Sequence, residues 1–520
     1  MVQDADVIVI GAGISGLTAA ALLAGAGLEV AVLEEQPRAG GYLQGFSRQG
    51  FQFDTAVHWL NGLGPGGLAA RVLDHIAPGR PACRPLERAW RLRGESFDYL
   101  LTVEADRLRD RLAADFPAEA GGLERLFADC RFLGQRMALM GGRMRAVETM
   151  GAWEKARYGL KMLGWYWPLR RFMRADARRG LARYLHGAEL GGLFAPEERL
   201  ASIMFPIAWA YSRDFFAAPR GGSRAWVDWL IRRIETAGSR VLLGQPVTRV
   251  RVEGGRAAGV ELAGGDSLRA RWVVAACDVE RLYARLLPEG LAPAKLRRKL
   301  AAADLYYSCV MLFCGLGCSS EELGLGEEMI RLTRDGLPTE AHCNGDPDTS
   351  ALLVMAPAAR DPSLAPAGKS SLTIQCPAYF EQHARWATGP ELARGEAYRA
   401  CKQAFAERLL ARVERQLVPD LRGRIEHLSV ATPITFWRYS ANRAGSIMGT
   451  RPTDRNIKRR LAHYRTPLPG LLLAGHWAEY GGGVLMAIRA AANASLLILQ
   501  PDHPEAFRAL RQALDAPPAG

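Results

Sequence analysis

The chain has 520 residues, of which 49% are hydrophobic and 23% charged. That balance builds a substantial core, at this length in two domains, and excludes a disordered chain or a small disulfide-stapled one. A formal charge of +13 points to an acidic partner, either an anionic membrane surface or nucleic acid, or else to a plain preference for arginine over lysine.

The first element is a buried strand, "DVIVI" at Asp6–Ile10, running into Gly11-Ala12-Gly13-Ile14-Ser15-Gly16 and a helical run that Gly27 stops. A second buried strand follows and ends at Glu34, next to Glu35. Together these are a whole βαβ dinucleotide-binding unit. Gly11 permits the tight turn, Gly13 lets backbone approach a pyrophosphate, and Gly16 lets helix pack on strand. Phosphates then sit at the helix N-terminus, while Glu34 accepts from a ribose. By contrast Gly62–Gly67 also fits GxGxxG, but no strand precedes it and Pro65 interrupts it, so it reads as a loop.

The apolar N-terminal run is not a signal peptide, since Asp4 and Asp6 stand where a basic segment belongs. No stretch reaches the roughly 18 uninterrupted apolar residues of a membrane span. The expectation is a soluble or peripheral protein. Nine cysteines, an odd number, show no CxxC or zinc-like spacing. Buried free thiols in a reducing cytoplasm are expected, and no metal site.

Residues 104–200 pattern as helices. Within them, residues 153–184 carry nine Lys/Arg against two acids, interleaved with Trp165, Tyr166, Trp167 and Phe172. Such a segment lies in a lipid headgroup layer, or else forms a basic solvent face with its aromatics in the core. Nothing else in the chain suits nucleic acid. Strands are expected at 241–252, 257–263 and 268–276, and "DAPPAG" reads as a frayed end of a C-terminal tail, 501–520. Before that tail comes "AGHWAEYGGGV", with Gly481-Gly482-Gly483 opening a helix from about Val484 to Leu499. Three glycines let backbone come close to a cofactor, and the helix N-terminus offers partial positive charge to it.

Several stretches resemble one family. They are Gly40-Gly41 six residues after the acid, the hairpin Gly50-Phe51-Gln52-Phe53-Asp54, "PRGGSRAW" from Pro219 with the strand pair after it, "TPITFWRYSANRAGSIMG" at Thr432–Gly449, and the stretch around Gly475. All are similar to the phytoene desaturase, carotenoid isomerase and retinol saturase family of FAD-dependent oxidoreductases. The resemblance implies an α/β chain with a Rossmann-like, amine-oxidase-like FAD-binding domain and an inserted α+β substrate domain. The cofactor domain would use 1–100, 219–300 and 428–500, and the substrate domain 101–218 and 301–427. It implies FAD contacts at Gly11, Gly13, Ile14, Ser15, Gly16, Glu34, Glu35, Gly40, Gly41, Val247, Gly475, His476, Gly482, Gly483 and Val484. Relatives often carry an acid after the Gly of the last motif, for the ribityl chain; here His476 takes that slot.

The activity implied is oxidation of a long, apolar, carotenoid-like polyene, by hydride transfer from an allylic C–H to flavin N5. The same resemblance leaves open a saturase or isomerase using reduced FAD. Flavin amine oxidation and a non-catalytic flavin-containing lipid-binding protein are further alternatives. Glu479, His58 and Tyr480 are the candidate proton acceptors. A greasy substrate favours peripheral contact with the inner face of an anionic cytoplasmic membrane through 153–184.

Overall fold

The computed structural model describes residues 4–56, 59–64, 66–140, 145–194, 197–212 and 216–516. Two seven-stranded sheets organise them. In the first, Ala5–Ile10 pairs in parallel with Val30–Leu33 on one side and with Ser267–Ala275 on the other. Both inner strands are apolar on both faces because helices cover the sheet: Val30–Leu33 is wholly buried, as is Val7–Ile10. Arg240–Leu242 extends the sheet beyond Val30–Leu33, and Leu471–Leu473 adds in parallel beside Val273–Ala275. The other end of Ser267–Ala275 turns outward to pair antiparallel with Arg256–Leu262, which carries Val247–Glu253.

The single strand expected at 241–252 is therefore two. Gly244 (φ 66°) and Pro246 break it, so its first piece edges the parallel sheet and its second joins the hairpin layer. The strands expected at 257–263 and 268–276 occur one residue earlier, at Arg256–Leu262 and Ser267–Ala275.

The second sheet runs in the order Ile425–Ala431, Ser308–Leu316, Ser370–Ala378, Leu352–Met355, Met329–Leu332, Arg88–Arg93, Asp98–Thr102. Two boundaries expected from the sequence shift accordingly. The hairpin at 88–102, grouped with the cofactor stretch 1–100, instead pairs with Met329–Leu332 in the second sheet. Ile425–Ala431, which straddles the expected boundary at 428, is that sheet's edge strand beside Ser308–Leu316. Partner choice for these strands rests on contacts between segments more than 100 residues apart in the chain.

Helices over 105–211 pack as a layer with a core of Leu123, Leu126, Phe127, Leu169, Phe172, Met204 and Phe216. The apolar helix Gly483–Asp502 is long enough to cross a membrane, but most of it is buried, packed along Ile14–Gly25 in the first core. The tail expected at 501–520 is a correction: Pro504–Asp515 is a helix whose Leu510 and Leu514, spaced i,i+4, are buried, and it packs on Leu68–Ile76. All nine cysteines are free, five of them buried.

Candidate functional site

The two ends of the chain meet at one place. Ser15 Oγ, in the first turn of helix Ile14–Gly25, accepts from the backbone N–H of Gly475 at 2.7 Å across 460 residues. Ala474 N–H donates to Ala275 O, and Ala276 N–H to Ile10 O, so the last strand delivers Gly475 beside the fingerprint turn. In that turn Gly11 adopts φ 102° and donates to Leu33 O. A Cβ on Gly16 would stand 2.0 Å from Gly11 O, whereas one on Gly13 would meet nothing within 4 Å. Gly16 is glycine for packing. Gly13 is glycine beside open space.

Gly40 and Gly41 close the same cradle. Gly40 N–H donates to Ala12 O at 2.8 Å, and a Cβ on Gly41 would press on Gly13 Cα at 3.3 Å. Glu34 receives Ala12 N–H at 2.8 Å and Gln36 N–H at 2.9 Å. Burial raises its pKa, against the lowering by those two donors. Its backbone oxygen accepts from Gln245 N–H, which brings Val247, two residues on, to the same strand end. Glu35 instead forms an ion pair with Arg281 at 2.6 Å, an interaction its sequence context did not signal.

On the opposite side of the cradle, Gly481, Gly482 and Gly483 all have positive φ, at 94°, 62° and 82°. A Cβ on Gly482 would lie 2.5 Å from Met448 O, while Gly481 and Gly483 face open space. Among the described residues no side chain caps the helix they open, which leaves its first N–H groups suited to a ligand.

His476 is half-buried, and its buried Nε2 has no hydrogen-bond partner among the described residues. Desolvation lowers its pKa to about 4, so the ring is neutral. A Cβ on Gly449 would come within 2.4 Å of His476 Cδ2, so glycine at 449 is what lets the imidazole sit there. Next to it Trp477 Nε1 donates to Asn442 Oδ1 at 3.3 Å, and Asn442 Nδ2 donates to the Tyr42 hydroxyl at 3.1 Å. Asn442 thus ties the segment after Gly41 to the segment after His476. The stretch "SANRAG" marked this region, but no pattern singled out Asn442.

The proton-acceptor candidates fare differently. Glu479 is buried with both oxygens engaged, one accepting from the Tyr464 hydroxyl and the other from Arg489. Burial raises its pKa, with Arg489 opposing. The Tyr480 hydroxyl accepts from Leu461 N–H and Ala462 N–H and donates to Asn456 O. Both side chains brace the loop. His58 lies outside the described residues. Its neighbour Trp59 packs edge-on against Trp90 and Phe216, at centroid distances of 5.3 and 4.9 Å, and Trp209 continues the wall. Three residues after Trp59, a Cβ on Gly62 would meet Leu485 Cδ1 at 2.7 Å, so this segment reaches the first turn of the helix Gly483–Asp502.

The family model described as flavin containing amine oxidoreductase matches residues 14–499. The chain belongs to that family. This flavoprotein is similar over 97% of its length to all-trans-retinol 13,14-reductase of Danio rerio, at 28% identity and 88% of that protein. It is also similar over 94% of its length to the lycopene-forming phytoene desaturase of Pseudescherichia vulneris, at 25% identity and 98% of that protein. In fold it matches the cyclohexylamine oxidase of Brevibacterium oxydans, with TM-score 0.57, 18% identity and coverage of 95% of this chain and 100% of that one. It is a flavin-dependent oxidoreductase with FAD as cofactor. The glycine cradle, the uncapped helix and the orphaned Nε2 of His476 all fit such a group.

Proposed function

We infer that this flavoprotein transfers hydrogen to or from a carbon–carbon bond of a long, apolar isoprenoid polyene. FAD, when bound, supplies the two-electron acceptor or donor. Gly11, Gly13, Ile14, Ser15 and Gly16, with Gly40 and Gly41, would hold its pyrophosphate; Glu34, Glu35 and Val247 would line the adenosine end. Gly475, His476, Gly482, Gly483 and Val484 would border the flavin, with neutral His476 offering Nε2 to a polar atom there. Trp59, Trp90, Phe216 and Trp209 would exclude water and align an apolar chain.

One observation carries the reading. Glu479 and Tyr480 are already committed to structural bonds, and Trp59, Trp90, Phe216 and Trp209 form an aromatic wall; the pairing of the two suits a substrate with no ionisable group. None of the seven lysines is buried. The retinol reductase and phytoene desaturase relatives are named for polyene substrates. The test is anaerobic. Phytoene bleaching the oxidised flavin near 450 nm establishes desaturation, and retinol restoring that band in pre-reduced protein establishes saturation. Bleaching by amines alone overturns the reading. Peripheral docking on an anionic membrane belongs to the same reading, because such substrates dissolve in lipid.

A further inference from the structure

The helix Ala152–Met173 exposes what other helices bury. Trp153, Leu160, Leu163 and Trp167 are 80%, 74%, 58% and 59% exposed. Together with Met173 they make up five of the eleven large apolar side chains left exposed among the described residues. Their spacing of seven, three and four puts them on one stripe. Leu169 and Phe172 are buried, and Trp165 donates its Nε1–H to Arg136 O at 2.9 Å. At about 100° per residue these inward groups lie roughly opposite the exposed stripe. The helix therefore presents its apolar crest straight away from the protein.

That exposure is held in place from both ends. Glu154, in the first turn, pairs with Arg145 and Arg511 at 2.9 and 2.8 Å, and Arg511 stands on the C-terminal helix. The other end is fixed by Leu169 and Phe172 in the core that also holds Phe216, against which Trp59 packs. The crest helix is thus rooted in the same apolar core that carries the aromatic wall.

Charge decides what covers it. Lys155, Arg157, Lys161, Arg170, Arg171 and Arg174 flank the stripe, and Arg170 lies over the Trp167 ring at 3.7 Å. The helix's sole acid is Glu154, already paired. A second copy packed crest to crest would set these cations against one another. An anionic bilayer accepts both features: headgroups meet the cations, and the interface takes Trp and Leu.

We propose that Ala152–Met173 is an interfacial docking helix that inserts Trp153, Leu160, Leu163 and Trp167 into an anionic membrane leaflet, positioning the protein to draw substrate from lipid. The proposal rests on the polyene reading only for what is drawn. Its test uses FAD-loaded full-length protein, floated with vesicles of phosphatidylcholine alone or mixed with phosphatidylglycerol. Wild type floats with the mixed vesicles and much less with phosphatidylcholine. Neutralising Arg157, Lys161 and Arg174 to Gln lowers that partitioning on the order of 100-fold, and Leu160→Ser with Leu163→Ser lowers it at least about tenfold. Both variants keep full flavin absorbance and wild-type turnover of detergent-dispersed polyene. Flotation unchanged in both variants overturns the proposal. So does a dimeric mass in light scattering that the Leu variants convert to monomer while vesicle binding persists. Vesicle binding that follows these rules, without turnover of dispersed polyene, leaves docking standing and removes the substrate reading.

Discussion

Two glycine- and helix-rich regions of this chain obey opposite rules. At the cradle, small residues are demanded by neighbours: Gly16 by Gly11 O, Gly449 by His476, Gly482 by Met448. On the crest helix Gly159 and Gly164 meet nothing within 4 Å, and large apolar side chains point into solvent. The cradle is a site completed from within, where a lost or added methyl is felt. The crest is complete only against something outside the protein. The difference separates residues that stability selects from residues that stability ignores.

Substitutions can break that contrast, and the largest effect belongs to the cradle. Gly482→Val places a side chain against Met448 O at a backbone conformation closed to valine. The variant should purify nearly colourless, with the 450 nm to 280 nm absorbance ratio reduced at least about tenfold and far-UV circular dichroism retained. Full flavin content would reduce the triple glycine to a plain turn. Within the crest helix itself, Leu169→Ala should cost about 2–5 kcal/mol in urea denaturation, because that side chain is fully buried.

His476 sharpens the comparison through pH. Its folded-state pKa is lowered from 6.5 to about 4, so between those values the unfolded chain binds more protons. Its contribution is complete above about pH 6.5 and lost as pH falls toward 4, about 3 kcal/mol in all. His476→Gln should flatten denaturation midpoints across that window; an unchanged slope would mean the imidazole is not buried neutral.

Ser15→Ala leaves Gly475 N–H buried without its acceptor, at about 1–3 kcal/mol, and should speed FAD release measured by flavin fluorescence. The smallest effect is on the crest, where Leu160→Ser should change stability by less than about 0.5 kcal/mol. Equal costs at Leu160 and Leu169 would erase the distinction between the helix's two faces.

The sequence by itself determined the cofactor half almost completely. A strand, three glycines, a helix and Glu34 lie within thirty residues, and local spacing is enough to specify a nucleotide cradle. The triple glycine was equally legible, because no packed helix or strand gains from it. The basic, aromatic character of residues 153–184 was visible too, but composition left open whether its tryptophans faced the core or the solvent.

Only the tertiary structure decided which way each side chain turned. It divided the tryptophans, sending Trp165 inward and Trp153 and Trp167 outward, since helix rotation is set by the partner surface and not by the helix. It moved the 88–102 hairpin into the second sheet, made a packed helix of the expected tail, and spent Glu479 and Tyr480 on bracing the loop. It placed the imidazole of His476 opposite Gly449 with Nε2 unpartnered among the described residues. Each outcome depends on contacts between segments tens to hundreds of residues apart, and no local spacing encodes them.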